Sequence, residues 1–422
     1  MPSVGRQEDE ALWGAGLDVV RKLAACGHEA YLVGGCVRDR LLGRPLHDVD
    51  IATSAWPEEV SAAFDRTIPT GLRHGTVTVL HKGRTFEVTT FRTEFGYADA
   101  RRPDRVEFVR ELRRDLARRD FTINAMAVGL DGSVVDPFGG REDLGRRMIR
   151  CVGDAAERFG EDALRMLRAI RFAAAFGFGL PLSVWRGIRL QAPRLRLVAM
   201  ERIGSEWEKM MAGADPERAC RLLLRSGLLK AVKEPLPACV TAMTAMPIRS
   251  GMRELSAIRD PEIRWASWLI RAGAAAYEAE TLCRTLRYSA KRVTRIAAML
   301  RFEERMANGF GNRQAFIEAV LDLGHSVASD WTETREQAGL YRGWLDELPI
   351  HSAGQLAVRG DELARRLNRQ PGPWIAAALR RLLHDVAFGR LANEKETLLE
   401  AAARQADGPT PKPANADTGD ES

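Results

Sequence analysis

The chain has 422 residues, room for more than one domain with its own core, and at 45% hydrophobic and 28% charged its composition is that of a globular protein. No apolar run approaches the ~20 residues that cross a bilayer, and the polar, acidic start MPSVGRQEDEALWGAG lacks the apolar stretch of a secretory signal. The net charge of +6 permits a nucleic-acid partner without requiring one, and six scattered cysteines without a CxxC spacing argue against a zinc or disulfide framework and fit a reducing cytoplasm.

Residues 8–26 carry a helical pattern. The texture then changes: "AYLVGG", "DVDIAT", "TVTVLHKG", "TFEVTTFR" and "GSVVDPF" are short β-prone runs with glycine-containing breaks, and "PEEVSAAF" between them is helical. In "YLVGGCVRDRLLG" a strand-like run leads through Gly34-Gly35 into a helical pattern carrying Arg38. Glycines let backbone N–H groups approach phosphate oxygens, a following helix N-terminus favours anions, and an arginine one turn in adds a charge-assisted donor. An isolated Gly-Gly is equally a plain strand-to-helix turn.

The run "HDVDIAT" sets Asp48 and Asp50 two apart in a strand pattern, so both carboxylates are expected on one face. Like charges that close repel, and the adjacent sequence supplies no Lys or Arg at the right phase. A hard divalent cation answers this, and Mg²⁺ takes a few carboxylate oxygens together with substrate phosphates. Glu87, in the strand-like "RTFEVTTFR", offers a third acid; three carboxylates can hold two ions ~3.5–4 Å apart. A lone DxD is weak, but strand, Gly-Gly, helix, DxD and third acid in that order are much more specific.

After about residue 150 the strand signals fade and helical periodicity runs from "EDALRMLRAIRFAAAF" to "EKETLLEAAARQ", with soft breaks at "MTAMPIRSGM" and "LPIHSAGQL". Strands first and helices after them predict an α/β head joined to an all-α remainder. Residues 141–200 hold 12 Arg against 6 acids, which suits phosphate contacts or a solvated helical surface. On the "EDALRMLRAIR" helix, Asp162 and Arg165 fall on one face, Arg168 and Arg171 extend the row, and Leu164, Leu167, Ile170 and Phe172 face the core. Such a pair is ordinarily a surface ion pair worth ~0–1 kcal/mol. It also has a chemical use: Asp offers only acceptors and Arg only donors, which together match the shared edge of cytosine and adenine and mismatch uracil and guanine. His384-Asp385 is read as an ordinary helical pair, Trp265, Trp268 and Trp374 as core, and 406–422 as a disordered tail.

The ordered set "LVGGCVRD…DVDIAT…EVTTFRTE…RRDFTINAMAV…DPFGGREDL…EDALRMLRAIRFAAAFGF…ERIGSEWEKM", over roughly residues 30–211, resembles the class II tRNA nucleotidyltransferases, the CCA-adding enzymes, which share a superfamily with bacterial poly(A) polymerases. The resemblance implies an α+β fold: a nucleotidyltransferase head with a mixed sheet (1–150), then an all-α neck that recognises the base (151–215), a body (216–300) and a tRNA-binding tail (301–405). It implies Mg²⁺ on Asp48 and Asp50, Glu87 completing the carboxylates, Gly35 and Arg38 on the triphosphate, Arg119 and Asp120 on the incoming nucleotide, and Asn124 bracing that turn. Asp120 reads equally as the N-cap of a following helix. Template-independent addition of C, C and A to the 3′ end of tRNA from CTP and ATP is then the expected activity. The charged "EFGYADARRPDRVEF" resembles the flexible loop that CC-adding enzymes lack, and "TGLRHGTVTV" departs from the arginine-rich poly(A) polymerase version. An A-adding or poly(A)-adding enzyme and a non-catalytic RNA-binding protein on the same scaffold are the alternatives.

Overall fold

The computed structural model describes residues 4–96, 105–243 and 250–406. It divides into two compact units: residues 1–248, 254–261 and 280–290 form the first, and residues 249–253, 262–279 and 291–422 the second. The expected head and neck segments fall inside the first unit and the tail segment inside the second, while 216–300 is shared between them.

The first unit opens with α1 (Val4–Ala25), whose Val19, Val20 and Leu23 are fully buried. Strands β1 (Ala30–Val33), β2 (Asp50–Thr53), β3 (Thr67–Gly71), β4 (Thr76–His81), β5 (Arg84–Thr90), β8 (Ala127–Val128) and β9 (Val134–Val135) form one seven-stranded sheet. Its order is β3-β4-β5-β2-β1-β8-β9, and because β2 and β5 run parallel while the other pairs are antiparallel, the sheet is mixed as expected. Alternation explains the central strands: Val77, Val79, Phe86 and Val88 are buried, with more exposed residues between them.

Strands β3 and β8 lie outside the β-prone runs, and so do most of β6 (Arg92–Phe95) and all of β7 (Arg105–Phe108). The last two pair as an antiparallel hairpin, Arg92 opposite Phe108, so the ends of the segment expected to be a flexible loop are strands. Residues 97–104 of that segment lie outside the described residues, as do 407–422 of the expected tail.

Helices α2 (Gly35–Leu41), α3 (Pro57–Ala63), α4 (Leu112–Ala117) and α5 (Gly140–Arg146) accompany the sheet. An all-helical stretch follows: α6 (Ala155–Glu161), α7 (Leu164–Phe176), α8 (Leu182–Gln191), α9 (Met200–Ala212) and α10 (Pro216–Ser226). Leu164, Leu167, Ile170 and Phe172 of α7 are buried, as its periodicity requires.

The second unit is helical. One aromatic core joins Phe302, Phe316, Trp331 and Tyr341, with Trp331 Nε1 donating to the buried Glu303 at 2.8 Å. A second core gathers Leu356, Leu363, Leu382, Leu383 and Leu398, with Trp374 packed partly buried against it. Trp265 and Trp268 are fully buried, so all three tryptophans are packing residues as read. No described helix is long and apolar enough to cross a membrane, and all six cysteines are free thiols.

Candidate active site

A cleft of about 410 Å³ in the first unit is lined by Gly34, Gly35, Arg38, Asp39, Asp48, Asp50, Arg118, Arg119, Asp120, Asn124, Arg165, Arg168 and Phe172. Chain segments more than a hundred residues apart meet here. The backbone at Gly34 makes the first wall: φ is +80°, ψ is −129°, and a Cβ there would stand 2.8 Å from Arg119 Nη1, so only glycine fits. The strand-to-helix turn therefore holds α2 against the cleft. Arg38, one turn into α2, is buried; it donates to Asn124 Oδ1 at 2.6 Å and stacks on Phe172 and Phe176, with 5.3 and 4.7 Å to their centroids.

The two carboxylates differ from the expected strand pair. Asp48 lies in the loop before β2, and only Asp50 begins the strand. Both nonetheless face the cleft. Glu87 stands opposite Asp50 in the parallel β2–β5 register but is exposed and does not line the cleft. Among the described residues no group of three His, Cys, Asp or Glu side chains converges closely enough to hold a metal ion. Paired in register with Asp50, Glu87 projects from the same face of the sheet, and its charge reaches the Asp50 carboxyl from the neighbouring strand. Burial, then the charge of Asp48, pushes the Asp50 carboxyl up to about 6; Arg119 opposes this and Glu87 adds to it. This surplus of negative charge is what a bound divalent cation would relieve, so Asp48 and Asp50 fit such an ion.

A folded-state value above the ordinary 3.8 of a free aspartate means that Asp50 favours folding most below 3.8, and that this contribution is lost as pH rises through about 6. Asp50→Asn is therefore expected to stabilise the metal-free protein by about 1–2 kcal/mol at pH 8 and by almost nothing at pH 4. Urea unfolding in EDTA at both values measures this; an equal gain at both would disprove the repulsion.

Facing the acids is a buried network. Asp120 accepts from Arg168 Nε and Nη2 at 2.9 and 2.7 Å, from Asn124 Nδ2 at 2.9 Å, and from the Phe121 N–H at 2.8 Å. Burial pushes its carboxyl up, but Arg168 and Asn124 outweigh that and hold it at about 2. The turn that follows is a short 3₁₀ segment, Thr122–Asn124, whose cap is Phe121; the expected N-cap role of Asp120 is not realised. Asn124 bridges Arg38 and Asp120 and so braces the turn as read.

Asp162 and Arg165 part company. Asp162 lies two residues before α7, accepts the Leu164 N–H at 3.0 Å, and accepts from Arg202 at 3.3 Å. Arg165 is inside α7, buried, and donates to Glu161 at 2.5 Å and to the carbonyls of Arg118 and Arg158. The single helical face expected for the two fails because the helix starts two residues late. Arg171 does not line the cleft; it donates to the buried Glu206 at 2.7 Å and lies over Phe172. Sequence reasoning passed over Asp39, Arg118 and Phe172 as cleft residues; the doubled arginine of "RRDFTINA" was the available signal for Arg118. His384 and Asp385 lie within the helix Trp374–Ala387 of the second unit.

Comparison with known proteins covers nearly the whole chain. Residues 30–150 match the family model described as "Poly A polymerase head domain", and residues 257–402 match a tRNA nucleotidyltransferase domain 2. The chain is 39% identical over 397 residues to the CCA-adding enzyme of Lactiplantibacillus plantarum, covering 92% of this chain and 95% of that one. It is also 39% identical over 394 residues to that of Geobacillus stearothermophilus, covering 90% and 94%. The crystal structure of the Bacillus stearothermophilus CCA-adding enzyme in complex with CTP superposes with a TM-score of 0.79 at 36% identity, covering 93% of this chain and 97% of the other. Shared sequence and shared fold along nearly the whole length leave one assignment: this chain belongs to the CCA-adding enzymes.

Proposed function

We propose that this protein adds C, C and A to the 3′ end of tRNA, taking the nucleotides from CTP and ATP and releasing pyrophosphate. The observation that carries the reading is the division of one cleft in a CCA-adding enzyme: carboxylates Asp48 and Asp50 on one wall, and a donor-rich wall of Arg38, Arg119, Arg165 and Arg168 around Asp120 on the other. The relative crystallised with CTP supports a nucleotide in this cleft.

Asp48 and Asp50 would hold Mg²⁺. Bound there, the ion supplies Lewis-acid activation of the attacking 3′-hydroxyl and neutralises the leaving pyrophosphate. The chain's own residues do the remaining work. Gly35 and Arg38 receive the triphosphate at the turn into α2, and Arg119 adds positive charge beside it. Asp120, kept ionised by Arg168, accepts from ribose hydroxyls, with Asn124 holding its orientation. Asp162 and Arg165 present the acceptor and donor that match C and A, Arg168 and Arg171 hold their surroundings, and Glu87 completes the carboxylate set from the neighbouring strand.

Residues 1–150 then act as the catalytic head, 151–215 as the base-reading neck, and the helices beyond (216–300 and 301–405) as the surface for tRNA. Charge extends the RNA surface into the neck itself. Six of the arginines in 141–200 (Arg146, Arg150, Arg158, Arg165, Arg168 and Arg171) are engaged by acids. Arg186, Arg189, Arg194 and Arg196 lie in a stretch, 177–200, that contains no acid, which suits RNA phosphates.

The test is incubation of the purified protein and Mg²⁺ with radiolabelled CTP or ATP and tRNAs ending before CCA, before CA and before A. Stepwise completion of all three is expected. Extension of the last substrate alone would make it an A-adding enzyme, and extension of none would leave an RNA-binding protein.

A further inference from the structure

Asp115 lies on α4, is fully buried, and belongs to neither wall of the cleft. It holds two residues that do: Arg118 Nε donates to its Oδ1 at 2.9 Å, and Arg119 Nη2 donates to its Oδ2 at 3.3 Å. The Arg92 N–H also reaches Oδ1, at 3.4 Å. Arg118 is fixed a second time, donating to Glu94 at 3.1 Å.

Arg119 is the less settled of the pair. Its Nε is buried without a hydrogen-bond partner, and its Nη1 comes within 2.8 Å of the point where a Cβ on Gly34 would sit. Asp50 Oδ2 lies 4.0 Å from that same point. A guanidinium with unused donors therefore stands just across Gly34 from two carboxylates of surplus negative charge, and one 3.3 Å bond ties it to Asp115. At such range the attraction of a unit positive charge to the acids rivals a hydrogen bond to a charged group. Without a counter-anchor, Arg119 would swing onto Asp48 and Asp50 and take the position of a metal ion.

We propose that Asp115 is a positioning residue that keeps Arg119 off the Asp48–Asp50 pair, so that these carboxylates stay open to a divalent cation. The inference rests on the metal-binding role proposed above for that pair. Asp115 touches neither cation nor nucleotide; it acts through the placement of Arg119. The same anchor keeps the freed face of Arg119 turned to the space beside Gly34, where a triphosphate oxygen would meet it.

The experiment is Mn²⁺ titration of the full-length protein without nucleotide, with free Mn²⁺ read by electron paramagnetic resonance and folding checked by near-ultraviolet circular dichroism. Native protein should bind Mn²⁺ at a site that Asp48→Ala removes. Asp115→Asn should weaken that binding at least about tenfold. Adding Arg119→Ala to Asp115→Asn should restore it to native strength or better, since the competing guanidinium is gone. Asp115→Ser replaces the asparagine variant if the latter does not fold. A folded Asp115 variant with native Mn²⁺ affinity overturns the proposal. So does a double variant as weak as the single one, which marks Asp115 as a plain packing residue. If instead native binding is indifferent to Asp48→Ala, the metal reading itself is wrong and the proposal falls with it.

Discussion

Asp48→Ala and Asp50→Ala are each expected to abolish addition of both C and A while leaving tRNA affinity nearly unchanged. All transfers share one pair of cation ligands, whereas tRNA is gripped through phosphate contacts made elsewhere. Loss of an ion that contributes several kcal/mol to the transition state corresponds to a rate reduction of about 10³-fold or more. Glu87→Ala is expected to lower addition of both nucleotides as well, because Glu87 shares the sheet face of Asp50 in the β2–β5 register and its charge reaches that carboxyl. Single-turnover addition of CTP and ATP, with tRNA binding measured on the same preparations, checks the set. Retained C addition in either aspartate variant, or loss of tRNA affinity in proportion to activity, would sink the metal assignment.

Changing the base-reading pair should alter nucleotide choice more than rate. The variants follow from how each side chain is held. Asp162 accepts the Leu164 N–H at the start of α7, so alanine there would also remove a hydrogen bond worth ~1 kcal/mol. Asp162→Asn keeps an accepting oxygen and introduces an N–H₂ donor where an acceptor stood, which suits the carbonyl of uracil or guanine. Arg165→Ala removes the donor that Glu161 and two backbone carbonyls hold in place. Each change leaves a polar edge of C or A unmatched at ~1–3 kcal/mol, so incorporation of UTP and GTP relative to CTP and ATP should rise roughly 5- to 150-fold. Asp48→Ala is the contrast, since it should lower all four nucleotides alike. The assay supplies each NTP singly to a tRNA lacking its 3′ end. Unchanged ratios in both variants would falsify the base-reading role and leave Asp162 as an acceptor at the start of α7 alone.

The local parts of this molecule are legible in the chain itself. Alternation marks the strands that bury Val77, Val79, Phe86 and Val88, and a helical period marks α7, because each pattern needs only neighbours within a few residues. The order Gly-Gly, Arg38, Asp48, Asp50, Glu87 points to phosphate and cation chemistry for the same reason: a turn, a helix start and a carboxylate pair are short-range devices. Short strands escape that reasoning. The paired segment of β8 is two residues long, too brief for any period, and β7 is recognisable only by its partner β6.

Partner choice among charged groups belongs to the tertiary structure. Arg38 meets Asn124 across 86 positions, Arg168 meets Asp120 across 48, and Asp162 meets Arg202 across 40. The sequence placed a cation beside Asp48 and Asp50 because no arginine lay at the right phase nearby; the fold brings Arg119 there from α4 and the turn after it. A charge carries no period. Its partner is whichever opposite group the packed core leaves within reach, and desolvation then makes that pairing obligatory. The chain thus announced which chemistry its residues serve, while the packing of sheet against helices determined which acid each arginine holds.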